Sequence, residues 1–87
     1  MEISKMLTIS TAHISEETAN HLKRNGLFVP CYEFEYGFFV FVQEGIEDAN
    51  LPQDLKNCLI LAKEHGCSWL QLDCDGDYVE GLEKYDW

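Results

Sequence analysis

Three carboxylates alternate with other residues near the C-terminus, in the stretch Asp73-Cys74-Asp75-Gly76-Asp77. A calcium loop of the EF-hand kind needs acids at positions 1, 3 and 5, glycine at position 6 and glutamate at position 12. Counted from Asp73, position 6 is Tyr78 and position 12 is Lys84, so both diagnostic positions fail. A tight turn with acidic flanks explains the same residues, and we predict no metal site here.

Cysteine is the other residue type that could bind a metal or act as a nucleophile. A zinc site would need more ligands close in sequence than His65, Cys67 and Cys74 supply. A cysteine nucleophile needs a neighbouring base and positive surroundings, whereas an acidic chain raises the pKa of its thiols. We therefore predict reduced, structural cysteines, no catalytic residue and no cofactor. The four cysteines, none in a Cys-x-x-Cys pair, are Cys31, Cys58, Cys67 and Cys74.

Other motifs for chemistry are missing from the sequence. There is no glycine-rich phosphate loop, no Gly-x-Ser-x-Gly and no basic-aromatic patch for nucleic acid. His13 and His21 flank a predicted helix, and lone histidines seldom make a site. We interpret both as ordinary surface or helix-capping residues.

Charge is the strongest compositional signal. Sixteen acidic residues against six basic ones give a formal net charge of −10. The negative electrostatic field disfavours nucleic acid and acidic membranes as direct partners and favours a basic protein. The alternative explanation is that the acidic charge serves only to keep the protein soluble. No apolar run approaches the ~20 residues of a membrane helix, and the N-terminus lacks the apolar core of a signal peptide. We expect a cytoplasmic protein.

The helices and strands that would position these residues can be predicted from the spacing of apolar residues and from capping residues. Alternating apolar and small polar residues predict a first strand at Met6–Thr11. Ser15 is a good N-cap for a helix that runs from Glu16 to Asn25 and is closed by Gly26. The segment Leu27–Tyr32 contains a proline, which indicates an edge strand or a loop.

The densest apolar and aromatic run is Glu33–Val42, and we interpret it as the central strand, buried on both faces where it ends. Strand alternation would put Phe34 and Phe38 on one face and Phe39 on the other. A hairpin turning at Tyr36-Gly37 is the competing interpretation.

The second half of the chain predicts a helix, a strand and a return strand. Apolar residues at helical spacing mark a helix from Pro52 to His65. A strand follows at Ser68–Cys74, and Asp75-Gly76 is a hairpin signal that would bring Asp77–Leu82 back beside it. Burying the Trp87 ring is worth about 2 kcal/mol, so we expect the C-terminus to dock on the sheet.

Together these elements predict an α+β domain in the order β-α-β-α-β-β. Two helices would cover one face of a mainly antiparallel sheet of three to five strands. A chain of 87 residues is one domain. We assign that domain to residues 6–87 and interpret residues 1–5 as a candidate N-terminal extension.

An acidic, tyrosine-bearing surface is the leading hypothesis for function. Aromatic side chains supply contact area and acids steer a basic partner, although buried aromatics beside solvated acids would show the same composition. One alternative is a small enzyme or ligand-binding protein with a pocket near Tyr36, Cys67 and Asp73. Another is a homodimer through an exposed strand edge. The predicted partner-binding residues are Glu33, Glu35, Tyr36, Asp75, Asp77, Tyr78 and Glu80.

Five local patterns follow one another along the chain: T-I-S-T-A-H-I from Thr8, E-Y-G-x-F-V from Glu35, G-C-x-W from Gly66, D-x-D-G from Asp73 and the terminal Y-D-W. In this order they resemble a small bacterial family of unknown function that is met in chromosomes and on plasmids and other mobile elements. The resemblance covers about Met6 to Trp87. It implies a stand-alone bacterial domain and brings no known activity. Because the family is met on mobile elements, an inhibitor that mimics nucleic-acid charge is a specific form of the protein-binding hypothesis.

Overall fold

The computed structural model describes residue 1 and residues 3–24 and 29–87. Within them, two α-helices and four strands confirm the α+β class. Short 3-10 turns lie at Thr11–His13 and Ile46–Asp48. The elements are β1 (Met6–Ser10), α1 (Glu16–Lys23), β2 (Cys31–Phe34), β3 (Gly37–Phe41), α2 (Gln53–Glu64) and β4 (Trp69–Asp73).

The four strands form one sheet in the order β1-β4-β3-β2. β3 pairs antiparallel with both β2 and β4, whereas β1 pairs parallel with β4. The sheet is therefore mixed, and its four strands lie within the predicted range. β1 and β4 can run parallel because the chain between them, with both helices, is long enough to return to the starting end.

Both helices pack on one face of the sheet, as predicted. α2 keeps its predicted apolar stripe and begins and ends within one residue of the expected bounds. α1 begins at the predicted N-cap Ser15, while its predicted end at Asn25 and Gly26 lies outside the described residues. No helix in the described ranges is long and apolar enough to cross a membrane. The core joins Leu55, Cys58, Leu59 and Ala62 of α2 to Ile9, Phe38, Val40, Leu70 and Leu72 of the sheet.

Asp54, in the first turn of α2, fixes the start of α1. Its carboxylate accepts a hydrogen bond from Ser15 N at 2.7 Å and another from the Thr18 hydroxyl at 2.8 Å. The Ser15 hydroxyl in turn accepts from Thr18 N. The N-terminal ends of the two helices are therefore tied through one carboxylate, which also suits the positive end of each helix dipole.

The long central strand predicted over Glu33–Val42 is wrong, and the competing hairpin is correct. The chain turns at Glu35 and Tyr36, and Phe34 pairs with Gly37. Gly37 is required there because a Cβ would lie 1.7 Å from the carbonyl oxygen of Leu72 on β4. β2 begins at Cys31 as an edge strand, in keeping with the edge expected for Leu27–Tyr32, whose first two residues lie outside the described part.

The sheet face opposite the helices carries aromatic side chains, and we call it the open face. Phe34 stacks on Phe39 with ring centroids 4.5 Å apart, so these two share a face, contrary to the prediction. Phe41 meets Trp69 edge-on at 5.2 Å. Phe39 and Phe41 are half-buried and lie outside the core, so β3 is not buried on both faces. By strand alternation and register, the open face consists of Met6, Thr8, Ser10, Tyr32, Phe34, Gly37, Phe39, Phe41, Trp69, Gln71 and Asp73.

Residues 77–87, which we call the C-terminal strap, form no strand, so the predicted return of Asp77–Leu82 beside β4 is wrong. Gly76 lies so close to β1 that a Cβ would be 2.5 Å from the carbonyl carbon of Ile9. The turn therefore directs the chain across β1. The C-terminus was expected to dock on the sheet, and the strap contacts the end of β1 and the connection between β1 and α1. Its hydrogen bonds there are Ser10 N to Asp77 O (2.9 Å), Tyr85 N to Ala12 O (2.7 Å) and Trp87 Nε1 to Ile14 O (2.8 Å).

Candidate functional site

One end of the sheet gathers most of the predicted site residues, and we call it the acidic end. β1 and β4 both finish there, at the paired residues Ser10 and Asp73. β3 starts beside them at Gly37, so the turn between β2 and β3 carries Glu35 and Tyr36 to the same place. Residues that are far apart in sequence thus meet because the strands end in register.

The acidic end is held together by its backbone. Cys74 N donates to Tyr36 O at 2.8 Å, which ties the turn after β4 to the turn of the hairpin. Within the turn after β4, the Asp73 carboxylate accepts from Asp75 N and the Asp73 carbonyl from Gly76 N, both at 2.8 Å. The two turns therefore hold their exposed side chains at fixed spacing.

A cavity of about 200 Å³ opens between these turns. Glu33, Glu35 and Tyr36 line one side of it, and Cys74 and Trp87 line the other. A neighbouring cavity of about 350 Å³ shares the last two residues and extends to Tyr78 of the strap. Three aromatic side chains at this end are half-exposed or more: Tyr36 (50%), Trp87 (52%) and Tyr78 (67%).

Carboxylates dominate the charge of this end. Lys23 of α1 contributes a basic side chain to the first cavity, beside Glu33 and Glu35. Desolvation first, and then the negative charges of Asp75 and Asp73, raise the pKa of the Cys74 thiol. The local field thus favours positive charge. The carboxylates of the acidic end are those of Glu33, Glu35, Asp73, Asp75, Asp77 and Asp86.

Of the predicted site residues, Glu80 lies furthest along the strap. It lines a third cavity with Tyr78, which also belongs to the acidic end, and with Lys84. Lys84 Nζ lies 4.9 Å from the centre of the Tyr78 ring. The strap continues towards α2 there, since Gly81 and Leu82 line a cavity with Asn57 and Leu61. Glu80 therefore lies at the border of the acidic end.

The turn after β4 also groups three potential metal ligands. The side-chain ligand atoms of Asp73, Cys74 and Asp75 lie within 4.8 Å of one another. Both Asp73 carboxylate oxygens already accept hydrogen bonds, from Asp75 N and from Gln71 Nε2. The hydrogen bonds of the turn account for this grouping of side chains.

The alternative prediction of one pocket near Tyr36, Cys67 and Asp73 is wrong, because these three residues do not lie together. Tyr36 and Asp73 lie at the acidic end, whereas Cys67 precedes β4 at the opposite end of the sheet. The strand between them spans roughly 20 Å at about 3.3 Å per residue. These three side chains cannot line one pocket.

The thiols of buried Cys58 and half-buried Cys31 are unsuited to nucleophilic attack. Burial, with a smaller contribution from Asp54, raises the pKa of Cys58 to about 12. Burial, with a smaller contribution from Glu33, raises that of Cys31 to about 11. The expected direction of these shifts is confirmed, although burial rather than charge is the main cause.

His13 has a structural role that the sequence did not reveal. It is 2% exposed, so its interpretation as a surface or helix-capping residue is wrong. Its Nε2 accepts from Val79 N at 2.8 Å, which leaves Nδ1 to donate to Glu83 O at 2.9 Å. The ring therefore joins the β1–α1 connection to the strap. The available signal was its position between two apolar residues, Ala12 and Ile14.

The comparisons with known proteins give a family and no function. The family model described as "Family of unknown function (DUF5983) C-terminal domain" matches residues 6–87. No curated protein and no solved structure matches the chain. The matched residues span every described strand and helix as well as the strap. The chain therefore belongs to the DUF5983 C-terminal domain family, whose function is unknown.

Proposed function

We propose that this domain is a non-enzymatic protein-binding module that holds a basic protein surface against the acidic end. The observation that carries the proposal is the convergence there of carboxylates and exposed aromatic rings from two separate segments. Aromatic side chains supply contact area with little loss of conformational entropy, and carboxylates raise the rate of encounter with a basic partner.

The rigidity of the two turns supports the same function. The hydrogen bond from Cys74 N to Tyr36 O fixes the spacing between the hairpin turn and the turn after β4. A binding surface that is already ordered loses less entropy when its partner docks. The raised pKa values of Cys31 and Cys58 favour this function over nucleophilic catalysis.

Inhibition is the specific form of the proposal. A fixed array of carboxylates can imitate the spaced charges of a phosphate backbone and occupy a basic nucleic-acid-binding face. The net charge of −10 supports such mimicry. The motif resemblance to a family met on bacterial mobile elements is consistent with an inhibitor of this type.

Affinity capture at two salt concentrations tests the proposal. The tagged domain is incubated with bacterial lysate at about 100 mM salt, where exposed charges act over ~10 Å, and at about 1 M, where they act over ~3 Å. We expect basic proteins to be retained at the lower concentration and released at the higher one. The double variant Glu33→Lys with Glu35→Lys should lose them.

A charge-matched control makes the result specific. Glu44 and Glu64 are exposed and lie at the end of the sheet and helices opposite the acidic end. Glu44→Lys with Glu64→Lys changes the net charge by the same amount and should retain the captured proteins. Equal capture by the two double variants, or capture that ignores salt, would refute the proposal. Circular dichroism checks that both variants fold.

A further inference from the structure

The open face is largely apolar, although the chain has a net charge of −10. Its aromatic rings contact one another: Tyr32 lies 6.1 Å from Trp69, and Phe41 lies 5.2 Å from the same ring. Tyr32 remains 62% exposed. Both described helices and the core lie on the other face. Large exposed apolar patches of this kind mark interaction sites.

The charge pattern of the open face distinguishes it from the rest of the molecule. The chain has sixteen acidic residues, yet along the strands of this face Asp73 alone carries a charge. Its carboxylate is engaged by Gln71 Nε2 at 3.2 Å, and Gln71 in turn accepts from the Thr8 hydroxyl at 3.2 Å. A nearly uncharged surface can pack against a second copy of itself without electrostatic repulsion. A basic partner would find few carboxylates on this face to attract it.

We propose that the open face is a dimerisation surface that binds the open face of a second copy of this chain. Four strands about 4.8 Å apart, three of five residues and one of four, cover at most roughly 19 by 17 Å at about 3.3 Å per residue. Allowing for side chains at the rim, two such faces bury on the order of 1,000 Å² in total, which is the lower limit for a specific interface. Interfaces of this size are typical of weak, transient association.

A twofold axis that crosses the strands suits this face. It makes the strands of the two sheets antiparallel, so Asp73 of each copy lies at the Met6–Trp69 end of the other. The two Asp73 carboxylates are then separated by the length of a strand. The alternative axis, along the strands, would place the two Asp73 carboxylates at the same end of the dimer, and their repulsion disfavours that arrangement.

The net charge gives dimerisation a characteristic salt dependence. Sheets pack about 10 Å apart, so the centres of the two acidic domains lie roughly 20 Å from each other. Their mutual repulsion acts at about 0.1 M salt and is largely screened at about 0.5 M. Association should strengthen on the order of 10- to 100-fold between these concentrations. Binding of a basic partner at the acidic end weakens with salt, so the two proposals fail independently.

Sedimentation velocity across a protein concentration series at about 0.1 and 0.5 M salt tests the proposal. We expect a concentration-dependent shift from monomer to dimer that is stronger at the higher salt. Tyr32→Lys should weaken association at least about 10-fold, because its ammonium group would lose water without gaining a partner. The substitution also lowers the net negative charge, so weaker association cannot be an effect of overall repulsion.

Asn20→Lys is the matched control, since it makes the same charge change at an exposed position of α1. It should leave association unchanged or slightly stronger. Amide NMR spectra recorded on dilution should shift at Thr8, Phe39 and Gln71, with the helices unaffected. A monomer at every concentration in 0.5 M salt overturns the proposal. So does a dimer that Tyr32→Lys leaves intact, which would indicate a strand-edge interface instead.

Discussion

Replacing His13 by leucine tests whether one buried ring holds the strap to the domain. The ring makes two hydrogen bonds to strap backbone, one with Val79 N at 2.8 Å and one with Glu83 O at 2.9 Å. Leucine fills most of the space and satisfies neither group. An unpaired buried polar group costs about 1–3 kcal/mol, and Glu83 is exposed, so water can reach its carbonyl. We expect His13→Leu to lower the free energy of unfolding by about 2–3 kcal/mol.

Two milder substitutions divide this loss between the two bonds. Asparagine places an amide nitrogen near the position of Nδ1 and can keep the bond to Glu83 O. Glutamine places an amide oxygen near Nε2 and can keep the bond from Val79 N. Glutamine should recover the larger part of the loss, because it satisfies Val79 N, whereas water can replace the bond to the exposed Glu83 carbonyl.

Urea denaturation and amide hydrogen exchange provide the measurements. The Val79 amide should exchange faster in His13→Leu and in His13→Asn, but not in His13→Gln. His21→Leu is the control, because His21 contacts Glu17 at 3.9 Å on the surface and should change stability by less than about 0.5 kcal/mol. If His13→Leu matched this control, or left Val79 protected, the role assigned to the ring would be refuted.

Three further predictions concern the turns and the thiols. Gly37→Ala should destabilise the domain by more than about 2 kcal/mol, because the new Cβ would collide with the Leu72 carbonyl. Gly45→Ala is the control: its Cβ meets open space and should cost about 1 kcal/mol. Thermal unfolding of the two variants compares these losses. Asp54→Ala should lower stability by about 1–3 kcal/mol through loss of the capping bonds at α1, with Asp54→Asn in between in the same assay. Thiol labelling at pH 8 should modify exposed Cys74 and spare Cys58 until the chain unfolds. Burial raises the pKa of Cys58 to about 12, so only about one Cys58 thiol in ten thousand is ionised at pH 8. Equal labelling rates for the two cysteines would contradict this.

Local periodicity was enough to predict the helices. The apolar stripe of α2 and the Ser15 N-cap of α1 depend on residues within one or two turns, and both are confirmed. The strand at Trp69–Asp73 was recognised for the same reason, because side-chain alternation is a local property.

Local signals left the hairpin at Tyr36-Gly37 as one of two interpretations, because the contacts that decide between a turn and a continuous strand join residues far apart in sequence. Glu35 and Tyr36 are neither glycine nor proline, and the turn there is fixed by the close approach of Gly37 to Leu72, far away in sequence. Asp75-Gly76 is a good hairpin signal, yet contact of Gly76 with Ile9 sends the chain across β1 instead. The acidic end was predicted from composition, whereas the role of His13 follows from the path of the strap.

The parallel pairing of β1 with β4 has a consequence for synthesis. Thr8 on β1 reaches Gln71 on β4, 63 positions later, and Ile14 reaches Trp87, 73 positions later. At roughly 5–20 residues per second, the first strand leaves the ribosome several seconds before its neighbour exists. Until then β1 has no partner in the sheet, and the aromatic residues of β2 and β3 are exposed. The domain can therefore complete its sheet only after β4 has emerged, and it can seat the strap only after Trp87 has emerged.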